Sequence, residues 1–186
     1  MSAFAFIRRE LKNARIYFVP AGTVVDSVTV AAAAWPDNNP TTNYTDFEFQ
    51  DIEAVKEERN VKKESFMIPA ASGGYTEDTE EMVTSRAWKA TTHKTNAVLK
   101  QLQHGLASLP VATTAQAPGA KKDNSVDGIM LLVVQNKAGT VIERTQVWGR
   151  LRIVSSGDIG PESSKLEFSV EELSNALNTY VADPAA

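Results

Sequence analysis

Apolar and polar positions along this chain alternate in short runs, and the densest run lies at residues 129–154. Residues 129–134 (IMLLVV) are apolar without a break. Successive side chains of a strand point to opposite faces, so a strand here must be covered on both. The second arm alternates. Val147, Leu151 and Ile153 share a face with Gly149, whereas Trp148, Arg150 and Arg152 share the other. Between the arms, residues 136–139 (NKAG) form a short polar link ending in glycine, where a positive φ is commonly needed. The pattern predicts a central hairpin with a helix or second sheet over one face. The other face is left for further cover or for a neighbouring subunit.

The other elements follow in chain order. Residues 2–13 suit a short helix or an arm. Residues 14–19 (ARIYFV) read as a strand stopped by Pro20, Ala21 and Gly22. Val24, Val28 and Val30 fit a strand face, while the alanines at 31–34 suit a helix equally well. Residues 35–40 (WPDNNP) are a turn cluster, and residues 44–49 (YTDFEF) read as a strand. Residues 51–63 (DIEAVKEERNVKK) are a solvated helix by propensity, but their spacing also permits a long exposed strand. Residues 64–69 look like a strand end, and residues 70–78 like a loop with Gly73 and Gly74 at its tip. Residues 81–90 read as a strand with Met82, Thr84, Arg86 and Trp88 facing one way.

A helix is predicted over about residues 95–109. Ala97, Val98, Leu99, Leu102 and Leu106 make its apolar stripe, Thr95 is the N-cap candidate, and Pro110 forbids continuation. Residues 112–125 are small, polar and Pro/Gly-containing, which predicts a flexible loop. Residues 155–162 are a turn-rich connection. Leu166, Phe168 and Val170 alternate inward in a last strand, residues 171–179 suit a short helix or an extended arm, and the tail is expected to fray. These elements sum to an α+β fold, mainly an antiparallel β-sandwich or barrel-like sheets with one flanking α-helix and long loops.

Composition narrows the function classes. At 186 residues the chain is expected to be a single domain with room for a large loop insertion. It has no cysteine, which excludes disulfides, thiolate metal sites and thiol catalysis. A net charge of −4 disfavours general nucleic-acid binding, yet tolerates DNA that must slide past without sticking. No stretch approaches the roughly 18 uninterrupted apolar residues of a membrane span. The first apolar residues precede Arg8 and Arg9, the reverse of a secretory signal, which predicts synthesis and retention in a cytoplasm until assembly.

Candidate chemistry is sparse. His93 and His104 are eleven residues apart and match no zinc-ligand spacing, so partly exposed structural histidines are the expectation. A Ser-His-Asp triad would need one of them as base, and no G-x-S-x-G turn exists to hold its nucleophile. The acidic run at residues 77–81 lacks the alternate ligand positions, central glycine and closing glutamate of a calcium loop. No glycine-rich phosphate cradle is present. Arg144, Arg150 and Arg152 with Trp148 could form a stacking surface for nucleic acid, but the overall acidity favours pairing of Arg150 and Arg152 with Glu167 on a neighbouring strand or with carboxylates across a subunit interface. No catalytic residue, cofactor site or metal site is predicted. Doubly covered strands, long polar loops and loose termini suit a building block better than a catalyst.

The stretch over residues 86–106, with its sequence RAWKATTHKTNAVLKQLQHGL, joins a strand to a single helix. It is followed by WGRLRIV, a Gly/Asp turn and LEFSVEELSNALNT. In layout and texture over roughly residues 14–180 this succession resembles the major tail tube proteins of long-tailed bacteriophages, which share their fold with the tube of type VI secretion systems. The resemblance implies a sandwich domain flanked by a helix, hexameric rings whose subunits contribute strands to a continuous inner barrel, and stacking of rings into a hollow tube that carries DNA. It further implies an N-terminal arm at residues 1–13 and a long loop at residues 36–74 as ring-to-ring contacts. Phe47, Phe49, Ile52, Val55, Phe66, Trp148, Arg150 and Arg152 become the candidate assembly residues. Implied partners are further copies of the chain, the tape measure, tail tip and terminator proteins, and DNA in transit through the lumen. The implied location is the virion tail. The loop at residues 112–125 has no role in that pattern. Alternatives are another phage structural protein, such as a tail terminator or capsid decoration protein, or a ligand-binding sandwich with Trp88 and Trp148 lining a pocket.

Overall fold

A computed structural model describes residues 13–35, 44–119, 124–136, 138–156 and 165–182. Its strands are β1 (Asn13–Pro20), β2 (Val24–Val25), β3 (Val28–Thr29), β4 (Glu48–Phe49), β5 (Ile52–Pro69), β6 (Tyr75–Thr92), β7 (Ser125–Gln135), β8 (Val141–Ser156), β9 (Leu166–Glu172) and β10 (Thr179–Ala182). One α-helix, α1 (Ala97–His104), lies between β6 and β7. The eight-stranded sheet runs β4-β1-β7-β8-β9-β6-β5, with β10 pairing β8, and β2-β3 make a separate ribbon. Every pairing is antiparallel. The architecture is therefore α+β with a sandwich-like, unclosed sheet. Residues 1–12, much of the predicted turn at 35–40, part of the 112–125 loop, the turn at 157–162 and the tail beyond residue 182 lie outside the described residues.

The predicted central hairpin is β7-β8, with Ser125 opposite Arg152 at one end and Gln135 opposite Val141 at the other. Its two-sided apolar arm meets two cores. Met130 and Val126 join Val147, Leu151, Phe18, Phe168 and the helix residues Val98, Leu99 and Leu102. Ile129, Leu131 and Val133 join Tyr17, Val19, Trp148 and the valines Val25 and Val30 of the first ribbon segment. The covers are thus a helix with curled sheet on one face and the β2-β3 segment on the other. Asp26 and Ser27 both adopt positive φ, which suits the two-residue turn joining those short strands.

The helix is shorter than predicted. Asn96, not Thr95, is its N-cap and accepts from the Leu99 amide at 3.0 Å. Gly105 ends it in the left-handed region with φ 60°, so Leu106 onward leaves the axis well before Pro110. Residues 52–69 take the extended alternative, and 171–179 splits into the end of β9, a turn and the start of β10.

The sheet curls until β4 and β9 meet, with the Phe49 and Phe168 rings 4.4 Å apart. Gln50 and Asp51 then carry the chain directly from β4 into β5. Close packing inside this curl depends on two facing glycines. Gly128 stands opposite Gly149. A Cβ on Gly128 would lie 2.2 Å from the Val19 carbonyl oxygen and 3.0 Å from the Phe18 ring, and one on Gly149 would lie 2.7 Å from Val170 Cγ1. Backbone cannot yield as a flexible side chain does. Gly128→Ala is expected to cost about 3 kcal/mol, measured by denaturant unfolding, against an expected near-neutral Gly139→Asn in the exposed β7-β8 turn.

Candidate assembly surface

β5 and β6 are each 18 residues long and pair along almost their whole length. Only the root is held by the body of the chain. Ile52 and Val55 pack against the first core, and β6 pairs β9 from Ala87 to Thr92. From Ala87 to Tyr75 the ribbon runs on for about 40 Å at the usual strand rise. β5 is the last strand of the sheet, so its outer edge has no strand beside it among the described residues. The outer edge of β6 is likewise unpaired beyond Ala87 among the described residues. The tip is a tight turn in which the Gly73 amide donates to the Ala70 carbonyl and the Ala70 amide to the Gly74 carbonyl. Gly73 and Gly74 supply its positive φ values.

Strand periodicity explains why these helix-forming residues are extended. Charges two apart share a strand face, and here they pair: Lys56 with Glu58 at 3.2 Å, Arg59 with Glu57 at 2.7 Å, and Lys62 with Glu64. β6 extends the first two pairs and adds a separate one. Lys89 reaches Glu58 at 2.8 Å, Arg86 reaches Glu57 at 3.0 Å, and Lys63 pairs Glu81. Arg86 also lies over the buried Trp88 ring, 5.1 Å from its centroid. Arg59, and then Arg86, hold the Glu57 carboxyl below its ordinary value of 4.5, against partial burial that pushes the other way.

The outer half changes character. Phe66, Met67, Ile68, Tyr75 and Met82 are exposed there, with Met67 at 72% and Tyr75 at 73%. Among the described residues no Lys or Arg lies on the ribbon between Lys63 and Arg86, while Glu64, Glu77, Asp78, Glu80 and Glu81 do. Glu64 and Glu80 even face each other across the strands. The ribbon thus ends in a tip that is both apolar and acidic.

The eight predicted assembly residues scatter. Phe49 and Trp148 are buried in the chain's own two cores, and Phe47, Ile52 and Val55 pack half-buried against them. Phe66 lies near the ribbon tip and Arg152 is exposed on β8. Arg150 does not pair with Glu167. It makes a two-pronged bond to Asp127, at 2.7 and 3.0 Å, because Asp127 lies directly opposite it on β7. The predicted long loop at 36–74 is corrected as well: the described part of it contains β4 and all of β5, and only the turn at 70–74 is loop beyond them. Trp88 and Trp148 belong to opposite cores and share no pocket. His93 bonds Glu53 at 3.0 Å, beside Lys165 at 2.7 Å from the same carboxylate, in a cluster at the ribbon root. Met67, Tyr75 and Met82 were not among the candidates, although all three are exposed apolar residues on the two strands that meet at the Gly73-Gly74 turn.

Comparison with known proteins gives little. No family model matches the chain, and neither does any curated protein. A chain in the cryo-EM structure of the anti-feeding prophage baseplate, six-fold symmetrised, aligns over 99% of this chain and 99% of its own length, at 10% identity and a TM-score of 0.37.

The Glu57 cluster makes the ribbon root acid-sensitive. A carboxyl with a lowered folded-state value contributes stability that is present above its ordinary value and is lost as pH falls through the lowered one. Protection factors of β5 and β6 amides near Glu57, corrected for intrinsic exchange, are expected to fall below about pH 4.5 while those of β7 hold, and Glu57→Gln is expected to flatten that dependence.

Proposed function

We propose that this chain is a structural subunit of a phage tail, which self-assembles into hexameric rings stacked as a hollow tube for DNA passage. The observation that carries the reading is the β5-β6 ribbon. A two-stranded ribbon is marginal in water on its own. This one extends far from the core with unpaired outer edges among the described residues and a cluster of exposed apolar side chains at its end. Such a feature is a liability in a chain that stays alone and an asset in one that docks. The layout of strand, single helix and closing strands adds the resemblance to tail tube proteins. The net charge of −4 suits a tube that lets DNA slide without phosphate contacts. In this reading the role is non-catalytic, the other tail proteins cap and initiate the tube, and the finished location is the virion.

Negative-stain electron microscopy of the purified protein across a concentration series is the test. Stacked rings or tubes with a pore wide enough for duplex DNA are expected. A monomer at every concentration, in the presence and absence of tail-tip complexes, overturns the reading. Replacing residues 63–81 by Asn-Gly keeps the Lys62 and Met82 pair as the last rung. That variant is expected to unfold within about 0.5 kcal/mol of the parent and to form no tubes, by denaturant titration and microscopy respectively.

A further inference from the structure

The ribbon tip and a groove at the far end of the chain are complementary, and they cannot meet within one copy. Sheet register fixes their placement. Thr92 is level with Leu166 of β9, which pairs Ser156, while Ala87 is level with Glu171, which pairs Arg150. Descending from Ala87 to Tyr75, β6 therefore runs in the sense of β8 from Arg150 toward Val141, and its tip lies beyond that end. The groove lies at the other end, where β7 begins. It has a volume of about 750 Å³ and is lined by Pro20, Gly22, Leu109, Val111, Val126 and the Arg150-Asp127 pair, among others.

The chemistry of the two surfaces matches. Val111 at the groove and Val24, next to its lining residue Thr23, are 61% and 65% exposed. A Cβ on Gly22 would meet nothing within 4 Å, so that wall is open. Arg152 is exposed directly opposite Ser125, beside Arg150. Asp127 holds Arg150 in the groove wall, and Arg152, opposite the lining residue Ser125, adds an exposed cation at its margin. On the tip, Glu77, Asp78 and Glu80 have no ion-pair partner among the described residues, beside exposed Met67 and Tyr75.

We propose that the acidic, apolar tip of one copy's β5-β6 ribbon seats in the groove between the β1 end, the β7 start and residues 107–111 of a second copy. The inference rests on the reading of the chain as a self-assembling subunit, and it names the contact. Because tip and groove are different surfaces at opposite ends, each copy that receives a tip still presents its own. The contact is heterologous, so it propagates from copy to copy and, between rings, stacks them. Apolar contact between the valines and Met67 supplies adhesion, and the carboxylates facing Arg152 fix polarity and suppress the reversed pairing.

The absence of cysteine makes the test direct. Met67→Cys and Val111→Cys are made as separate single variants, both at exposed positions. They are mixed under assembling conditions and treated with a short bis-maleimide. A cross-linked dimer that needs both variants is expected, with Val24→Cys in place of Val111→Cys giving the same product. Arg152→Glu is expected to raise the concentration needed for assembly about tenfold, and Glu77→Lys with Glu80→Lys in the same chain to restore it. Tubes by microscopy with neither cross-link overturn this contact and leave the self-assembly reading standing. Cross-links between two Met67→Cys copies alone place tip against tip and overturn it as well. A chain that never assembles removes both.

Discussion

The apolar run of β7 is covered on both faces, and most of the structure follows from that. An apolar run of this length leaves no polar face to present to solvent, so the fold must supply two covers to one strand. The chain does so from both directions in sequence. β1 and the short β2-β3 ribbon come before it, and β8, β9 and β10 come after it. A slip of one residue in either pairing would exchange the two cores, and Gly128 opposite Gly149 would lose the ring and the methyl that fill their missing side chains. Register and packing are therefore a single constraint.

The ribbon inherits its direction from this body. β6 is one continuous strand whose inner third is core, with Trp88 and Ala90 buried, and whose outer part is almost entirely exposed. The ion pairs along it are solvent-facing and individually worth little. Their value lies in occupying the edges of the ribbon with charge, which discourages indiscriminate strand pairing while leaving the apolar tip available. Bulges near Val55 and Val61 further break the regularity of the edge.

Sequence alone made the β7-β8 hairpin legible, because periodicity there is unambiguous and both faces carry information, although β7 begins at Ser125, four residues before the apolar run that marked it. It named the faces of Val147, Leu151 and Ile153 against Trp148 correctly. The helix start was missed by one position since Thr95 and Asn96 are both capable caps, and only local backbone geometry chooses. At residues 52–69 the composition favours a helix and the charge spacing a strand; the partner strand that decides is more than twenty residues away in places. Arg150 was paired with Glu167 because strand order is not written in local pattern, and the nearer carboxylate belongs to the preceding strand, at Asp127. The assembly candidates followed aromatic character, which in Phe49 and Trp148 had already been spent on the cores.

The continuity of β6 has a mechanical side. A force applied at the tip along the ribbon axis pulls β6 lengthwise past β9, and the hydrogen bonds between Ala87 and Thr92 lie across that direction. They are loaded in shear, where they must rupture together, and not peeled one after another. Force directed sideways at the tip acts instead on the thin ribbon, which bends. The subunit is therefore stiff to axial load and compliant to lateral load, an anisotropy set by one strand shared between the core and the projection.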